Sequence, residues 1–284
     1  MSRSASIWDV SGLLSPLQGA LRDCVRRSHL ETKGDFEANV SCDLKRTFIN
    51  RLYQVERARS LSWPRTVITA DVLSLEGDLL CFSDSSGPGG FEQIVQYLQF
   101  RRANGEFTCQ FITGRNFLVK SNSSIPRSEL QAASLNAGIA SATKKNLSKY
   151  VKRTIGLTDS GCVIHWVHNQ SKVLGLFERV RVQEIRDVFE DDFLFVPGIN
   201  NPSDNGTRLP ALAEQVGPDS IFFKGAPWMK KGIDNALAEG IIQTMSTFVQ
   251  QKSSKVALEA VETWYIKHDL PLTGMDPVDD ISCL

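Results

Sequence analysis

From about residue 76 the chain reads as three strand-like runs with no helix between them, followed by helices and strands in alternation. The runs are Leu79–Ser83, Ile94–Phe100 and the alternating Phe107-Thr108-Cys109-Gln110-Phe111. Gly87-Pro88-Gly89-Gly90 and Ala103-Asn104-Gly105 supply the turns between them. A helical pattern then covers about Ser128–Lys149, with Leu135, Ile139 and Ala142 on one face. Strand Thr154–Thr158, helices Cys162–Asn169 and Leu176–Phe189, and strand Phe193–Val196 complete the order. Such an order predicts an α/β fold, a mixed sheet with helices packed against it, over residues 76–210.

The flanking segments differ. Residues 1–75 are mostly helical in pattern: Leu17, Ala20, Leu21 and Cys24 recur at helical spacing, as do Leu44, Phe48, Leu52 and Val55. Ser62-Trp63-Pro64-Arg65 interrupts the pattern, because proline disfavours helix in the residue before it, and marks a boundary. Residues 211–284 form a third segment, with helices expected over Ile233–Gln251 and Val256–His268 and an acidic end.

Four acids fall at the joints of this order. Asp84 ends the run Leu79-Leu80-Cys81-Phe82-Ser83, and Glu129 opens the helix after Ile125-Pro126-Arg127-Ser128. Asp159 ends Ile155-Gly156-Leu157-Thr158, and Asp204 follows the last strand through Val196-Pro197-Gly198 and Asn201-Pro202-Ser203. Carboxylates at strand ends and helix starts can converge at one edge of a sheet, where their mutual repulsion is relieved by a hard divalent cation. Two such ions can stabilise both the attacking and the leaving oxygen of a phosphodiester.

Composition narrows the partners. The formal net charge is zero, yet between Arg101 and Arg153 ten basic residues face only Glu106 and Glu129. Within that stretch Arg127, Lys144, Lys145, Lys149, Lys152 and Arg153 are the candidates for contacting nucleic-acid phosphates. No apolar run is long enough to span a membrane and the N-terminus lacks a signal-peptide core, so an intracellular location, cytoplasmic or nuclear, is expected. The six cysteines show no C-x-x-C spacing and read as reduced, buried thiols.

Several phrases, in order, resemble the ribonuclease H region of Pao/BEL-type LTR retrotransposon polyproteins. Ala5-Ser6-Ile7-Trp8-Asp9-Val10-Ser11-Gly12-Leu13-Leu14-Ser15-Pro16 resembles "ASIFDPLGLLSP", Phe82-Ser83-Asp84-Ser85-Ser86 resembles "FCDAS", and Ile125–Leu130 resembles "LPRLEL". Thr158-Asp159-Ser160 with Val163, His165 and Trp166 resembles "TDSTIVLHWI". Val196–Asp204 resembles "VPTAENPADLASR", and Gly217–Trp228 resembles "LWWHGPEWL". The resemblance implies a thumb- or connection-like segment at 1–75 and an RNase H-like domain at 76–210. It implies Asp84, Glu129, Asp159 and Asp204 as ligands of two Mg²⁺ or Mn²⁺ ions, and hydrolysis of RNA in RNA–DNA hybrids. It also implies a polyprotein piece or a gene domesticated from one, with a reverse-transcriptase subunit or another protein as partner. The supports around the acids depart from the family phrases: "DPLG" is Asp9-Val10-Ser11-Gly12, and "ADLASRG" is Ser203-Asp204-Asn205-Gly206-Thr207-Arg208.

Two other readings stay open. A retroelement-derived chain can serve as a non-catalytic protein- or nucleic-acid-interaction module. Asp159-Ser160-Gly161 also spells the tripeptide of a retropepsin-like aspartic peptidase, although that chemistry needs two aspartates sharing a proton and a strand, not a helix, after the motif. Phe189-Glu190-Asp191-Asp192 mimics a polymerase motif but sits at a helix end and reads as solvated acids, and His165 and His168 read as packing or surface residues.

Overall fold

The computed structural model describes residues 9–251 except 36, 65–70, 88, 170–173 and 210. The chain divides into two compact units, Met1–Met245 and Ser246–Leu284, and every numbered element below belongs to the first. Strand β1 (Gly77–Ser85) is at the centre of a five-stranded sheet. It pairs antiparallel with β2 (Phe91–Arg101), which pairs antiparallel with β3 (Phe107–Leu118). On its other side β1 runs parallel to β4 (Val151–Thr158), and β4 to the short β5 (Phe193–Phe195), giving the order β3-β2-β1-β4-β5. Leu79, Leu80, Cys81 and Phe82 are wholly buried, because both faces of the sheet are covered at this strand.

Helices α1 (Ser15–Glu31) and α2 (Cys42–Ala58) pair with each other, and α1 packs across β3. On the opposite face lies α3 (Ile125–Asn146), whose buried Ala132, Ala133, Ala137 and Ala140 allow close approach to the sheet. Its Asn136 Oδ1 accepts from Gln96 at 2.9 Å, and Thr143 donates to Gln96 Oε1 at 2.9 Å. Helices α4 (Gly161–His168) and α5 (Leu176–Phe189) continue that layer. The α1 face is completed by α6 (Ile221–Lys224) and the 3-10 turn Pro227–Lys231, whose Phe222 and Trp228 join Phe82, Tyr97 and Phe111 in an aromatic core. Tyr97 also donates its hydroxyl to the Phe222 carbonyl at 2.6 Å, satisfying a phenol that burial would otherwise penalise.

Three expectations change. The helix expected over 233–251 is broken in two: after α7 (Ile233–Ala238) Gly240 adopts φ +70° and Gln243 pairs as an isolated bridge with Phe195 of β5, and helix resumes only over 245–251. Burial holds for Cys24 and Cys81, but Cys42 and Cys162 are exposed, because each lies in the first turn of its helix, on the outer side. The third strand runs to Leu118 rather than ending at Phe111, with a register shift opposite Gln96/Tyr97. The expected break at Trp63-Pro64 falls in coil, and the second C-terminal helix, Val256–His268, lies outside the described residues.

Candidate metal centre

The strand registers decide which acids meet. Asp84 lies next to last in β1, Ser83 pairs with Thr158, and Asp159 therefore follows directly at the same end of the sheet. A parallel β4 must be entered from the far end, so the connection from β3 has to run back along the whole sheet. Helix α3 makes that return, and its first turns, with Glu129, start at the Asp84–Asp159 end. Asp204 sits in the 3-10 turn Pro202–Gly206, which packs against β1 and β2.

Each carboxylate is engaged by a protein donor. Thr207 donates its hydroxyl to Asp84, and Ser160 donates its hydroxyl to Glu129 while its oxygen also accepts from Val163 N, capping α4. Asn201 Nδ2 lies 3.2 Å from the Ser83 carbonyl and 3.4 Å from Asp159 Oδ1. Asp204 pairs with Arg208, its two carboxylate oxygens lying 2.8 and 2.7 Å from the single guanidinium Nε. Among the described residues no group of three or more His, Cys, Asp or Glu side chains forms a ready metal shell.

The electrostatics show the acids acting on one another. Burial pushes the Asp159 carboxyl up to about 7, and Asp84, Glu129 and Asp204 add to it. Burial raises Asp84 as well, with Asp204 reinforcing and the Thr207 hydroxyl opposing. Glu129 is raised by burial and by Asp84, against the Ser160 hydrogen bond. Arg208 moves upward because of its hydrogen bond and charge interaction with Asp204, with Asp84 and Asp159 contributing further. The four acids thus share one field, and a cation is the group that relieves it.

Sequence reading missed the supports. Ser160, Asn201, Thr207 and Arg208 all stood inside the motifs quoted for the acids, and the N-cap position of Ser160 ahead of a helix was the readable signal. Behind Asp204 lies a buried network: Asn116 Nδ2 donates to the Gly206 carbonyl at 2.7 Å and to Gln93 Oε1 at 3.0 Å, and Gln93 Nε2 donates to Ser15 Oγ at 3.0 Å. A Cβ on Gly206 would lie 2.1 Å from Gln93 Oε1, so only glycine allows this approach.

The structure does not bring the basic candidates to the carboxylates. Lys144 and Lys145 occupy the last turn of α3, fifteen or more residues beyond Glu129, which is roughly 20 Å of helix. Lys152 and Arg153 begin β4, where Asp78 pairs with Arg153 in the register, at the end of the sheet opposite Asp159. Arg153 is within 3.2 Å of Asp78, 3.9 Å of Asp192 and 3.7 Å of Asp234. Lys149 and Lys152 are exposed at that same far end. Arg127 alone stands at the start of α3, but its Nε pairs with Glu178 at 2.7 Å and its guanidinium lies 5.4 Å from the Phe177 ring centroid. His168 Nε2 is 2.7 Å from the Phe193 carbonyl, in keeping with a packing role.

Among solved structures, the N-terminal RNase H domain of a Mycobacterium tuberculosis protein shares 15% identity, with 49% of this chain and 98% of that one covered and a TM-score of 0.33. RNase H1 of Halobacterium salinarum shares 16% identity over 50% of this chain and 96% of that one, with a TM-score of 0.28. A foamy viral protease-reverse transcriptase, solved in complex with double-stranded DNA, shares 9% identity over 67% of this chain and 35% of that one, with a TM-score of 0.28. No curated protein matches the chain. No helix of the described residues is long and apolar enough to cross a membrane. The family model for the Pao retrotransposon-like RNaseH-like domain matches residues 1–160, more than half of the chain, and the chain belongs to that family.

Proposed function

We propose that the protein hydrolyses the RNA strand of RNA–DNA hybrids at the site formed by Asp84, Glu129, Asp159 and Asp204. The observation that carries this reading is the meeting of four acids from β1, α3, β4 and the turn after β5 at one end of the sheet, each raising another's pKa or drawing on the same arginine. The donor set suits hard divalent ions: all-oxygen, anionic, and balanced among the described residues by Arg208. Asp84, Glu129, Asp159 and Asp204 would hold Mg²⁺ or Mn²⁺, two ions in the full form, which supply an activated water and stabilisation of the departing 3′ oxygen.

The chain's own residues do the rest. Ser160 and Thr207 orient Glu129 and Asp84, and Asn201 ties Asp159 to the backbone of β1. Arg208, with an exposed side chain, stands where it can pair with a phosphate once Asp204 turns to a cation. In this reading residues 1–75 serve as a connection segment ahead of the nuclease part, and a reverse-transcriptase subunit completes the grip on the hybrid.

A second reading, the non-catalytic interaction module, is favoured by one observation: each acid already has a protein partner, Asp204 a cationic one. The peptidase reading has less behind it, since Ser160 of Asp159-Ser160-Gly161 caps α4 and donates to Glu129. The deciding experiment is incubation with a labelled RNA–DNA hybrid in Mg²⁺ or Mn²⁺, beside Asp159→Asn. Cleavage by the wild type and not by the variant is expected; silence from both leaves the interaction module as the better account.

A further inference from the structure

The carboxylate end of the sheet carries a second feature. Where α1 passes the exit of β3, an open cavity of ≈ 730 Å³ is lined by residues that include Asp23, Arg26, Arg27, Gly89, Val119 and Lys120. Its walls are held by one side chain: Arg26 Nη1 donates to the Val119 carbonyl at 3.0 Å, and Nη2 donates to Asp23 Oδ1 at 2.7 Å and to the Gly89 carbonyl. Asp23, the one acid among the described lining residues, is shared with a second guanidinium, that of Arg51, at 2.9 Å. Arg27 and Lys120 are exposed and have no carboxylate partner among the described residues. The lining therefore presents three cations against one acid that is already neutralised, and two of those cations are free to bind.

Position gives the ligand class. Leu118, the last residue of β3, pairs with Phe91, and the next positions on β2 pair with Ser85 and Asp84 of β1. The cavity-lining end of β3 thus lies at the same end of the sheet as the acids, two strand spacings or about 10 Å across the sheet from β1. Unpaired cations at the same end of the sheet as a phosphodiester-cleaving centre match the charge of a nucleic-acid backbone that continues past the scissile bond. The volume lies within the roughly 300–1,000 Å³ of ligand pockets, so one phosphate and its sugar fit.

We propose that the α1–β3 cavity is a phosphate-binding subsite for the nucleic-acid substrate, with Arg27 and Lys120 as its contacting cations and Arg26 as the residue that positions its walls. The proposal rests on the nuclease reading, and it shifts the substrate path from the Lys144–Arg153 end of the sheet to the α1 side of the carboxylates.

The test measures binding, not cleavage. The full chain is titrated against a fluorescent RNA–DNA hybrid without divalent ions across a salt series, beside Arg27→Gln/Lys120→Gln and Lys144→Gln/Lys145→Gln. Each phosphate contact contributes about one unit to the slope of log affinity against log salt, so the first pair should lower the slope by about two and the second should leave it unchanged. Both substitutions of the first pair are at exposed side chains, so folding is preserved and circular dichroism checks it. An unchanged slope in the Arg27/Lys120 variant overturns the subsite while wild-type binding keeps the nuclease reading. Equal losses in both variants overturn it too, by showing a response to net charge alone. A wild type that does not bind the hybrid overturns both readings together.

Discussion

The side-chain amide of Asn116, on β3, donates a 2.7 Å hydrogen bond to the carbonyl of Gly206, two residues beyond Asp204. Through Gln93 and Ser15 the same network reaches α1. An edge strand and the N-terminal helix thereby hold a turn that carries one of the four acids.

Asn116→Ala should therefore weaken both stability and the site. It strands the Gly206 carbonyl and Gln93 Oε1 in a buried setting, which costs about 1–3 kcal/mol for each group left unsatisfied. Urea unfolding should show a lower midpoint with an unchanged slope. A variant as stable as the wild type would show that water replaces the amide.

The buried carboxylates set a pH dependence. Burial pushes Glu92, on β2, up from an ordinary 4.5 to about 7, against a weaker pull from Arg181, and Asp159 stands at about 7 as well. A carboxyl raised in the native state favours the protonated form there. Its contribution is fully present below about pH 4 and is lost as pH rises through about 7. Glu92→Gln should remove one such loss, so the stability difference, variant minus wild type, should grow by ~1–3 kcal/mol between pH 4 and pH 8. Thermal melts at matched ionic strength in that window check it; a difference that stays flat with pH would contradict the assignment.

Divalent ions should stabilise the chain where the acids are ionised. At pH 8, Mn²⁺ at a hundredfold excess over its dissociation constant should add about 2.7 kcal/mol to the wild type. The gain should shrink sharply in Asp84→Asn and Asp159→Asn. Melting curves with and without Mn²⁺ give the answer, and equal gains in all three proteins would place the ions elsewhere.

Arg208 competes with any cation at the site. Its side chain is largely exposed, so the Asp204 pair is worth at most about 1 kcal/mol. Arg208→Gln should tighten Mn²⁺ binding by up to about fivefold, read by calorimetric titration, while lowering the turnover of the hybrid. Weaker metal binding in the variant would mean that the guanidinium holds Asp204 in its ligating position.

The sequence by itself determined the element order and set four acids at its joints. Helix α5 spans Leu176–Phe189 as its periodicity predicts, and β1 is buried on both faces as a continuous Leu79–Phe82 run demands. Both signals are local: side-chain period and strand-end position survive without knowledge of neighbours. The break in the helix expected through Gln251 was not legible, because Gln243 leaves helical geometry only when Phe195 is there to pair with it. Nor was the fate of the basic stretch. Lys144 and Glu129 share one helix, yet a parallel crossover sends that helix the length of the sheet and puts their charges at opposite ends. Likewise Arg26, Arg27 and Lys120 become one rim only because α1 packs across β3, a contact between segments about ninety residues apart in the chain. Charge position is a property of tertiary packing, which a sequence pattern encodes only through every contact at once.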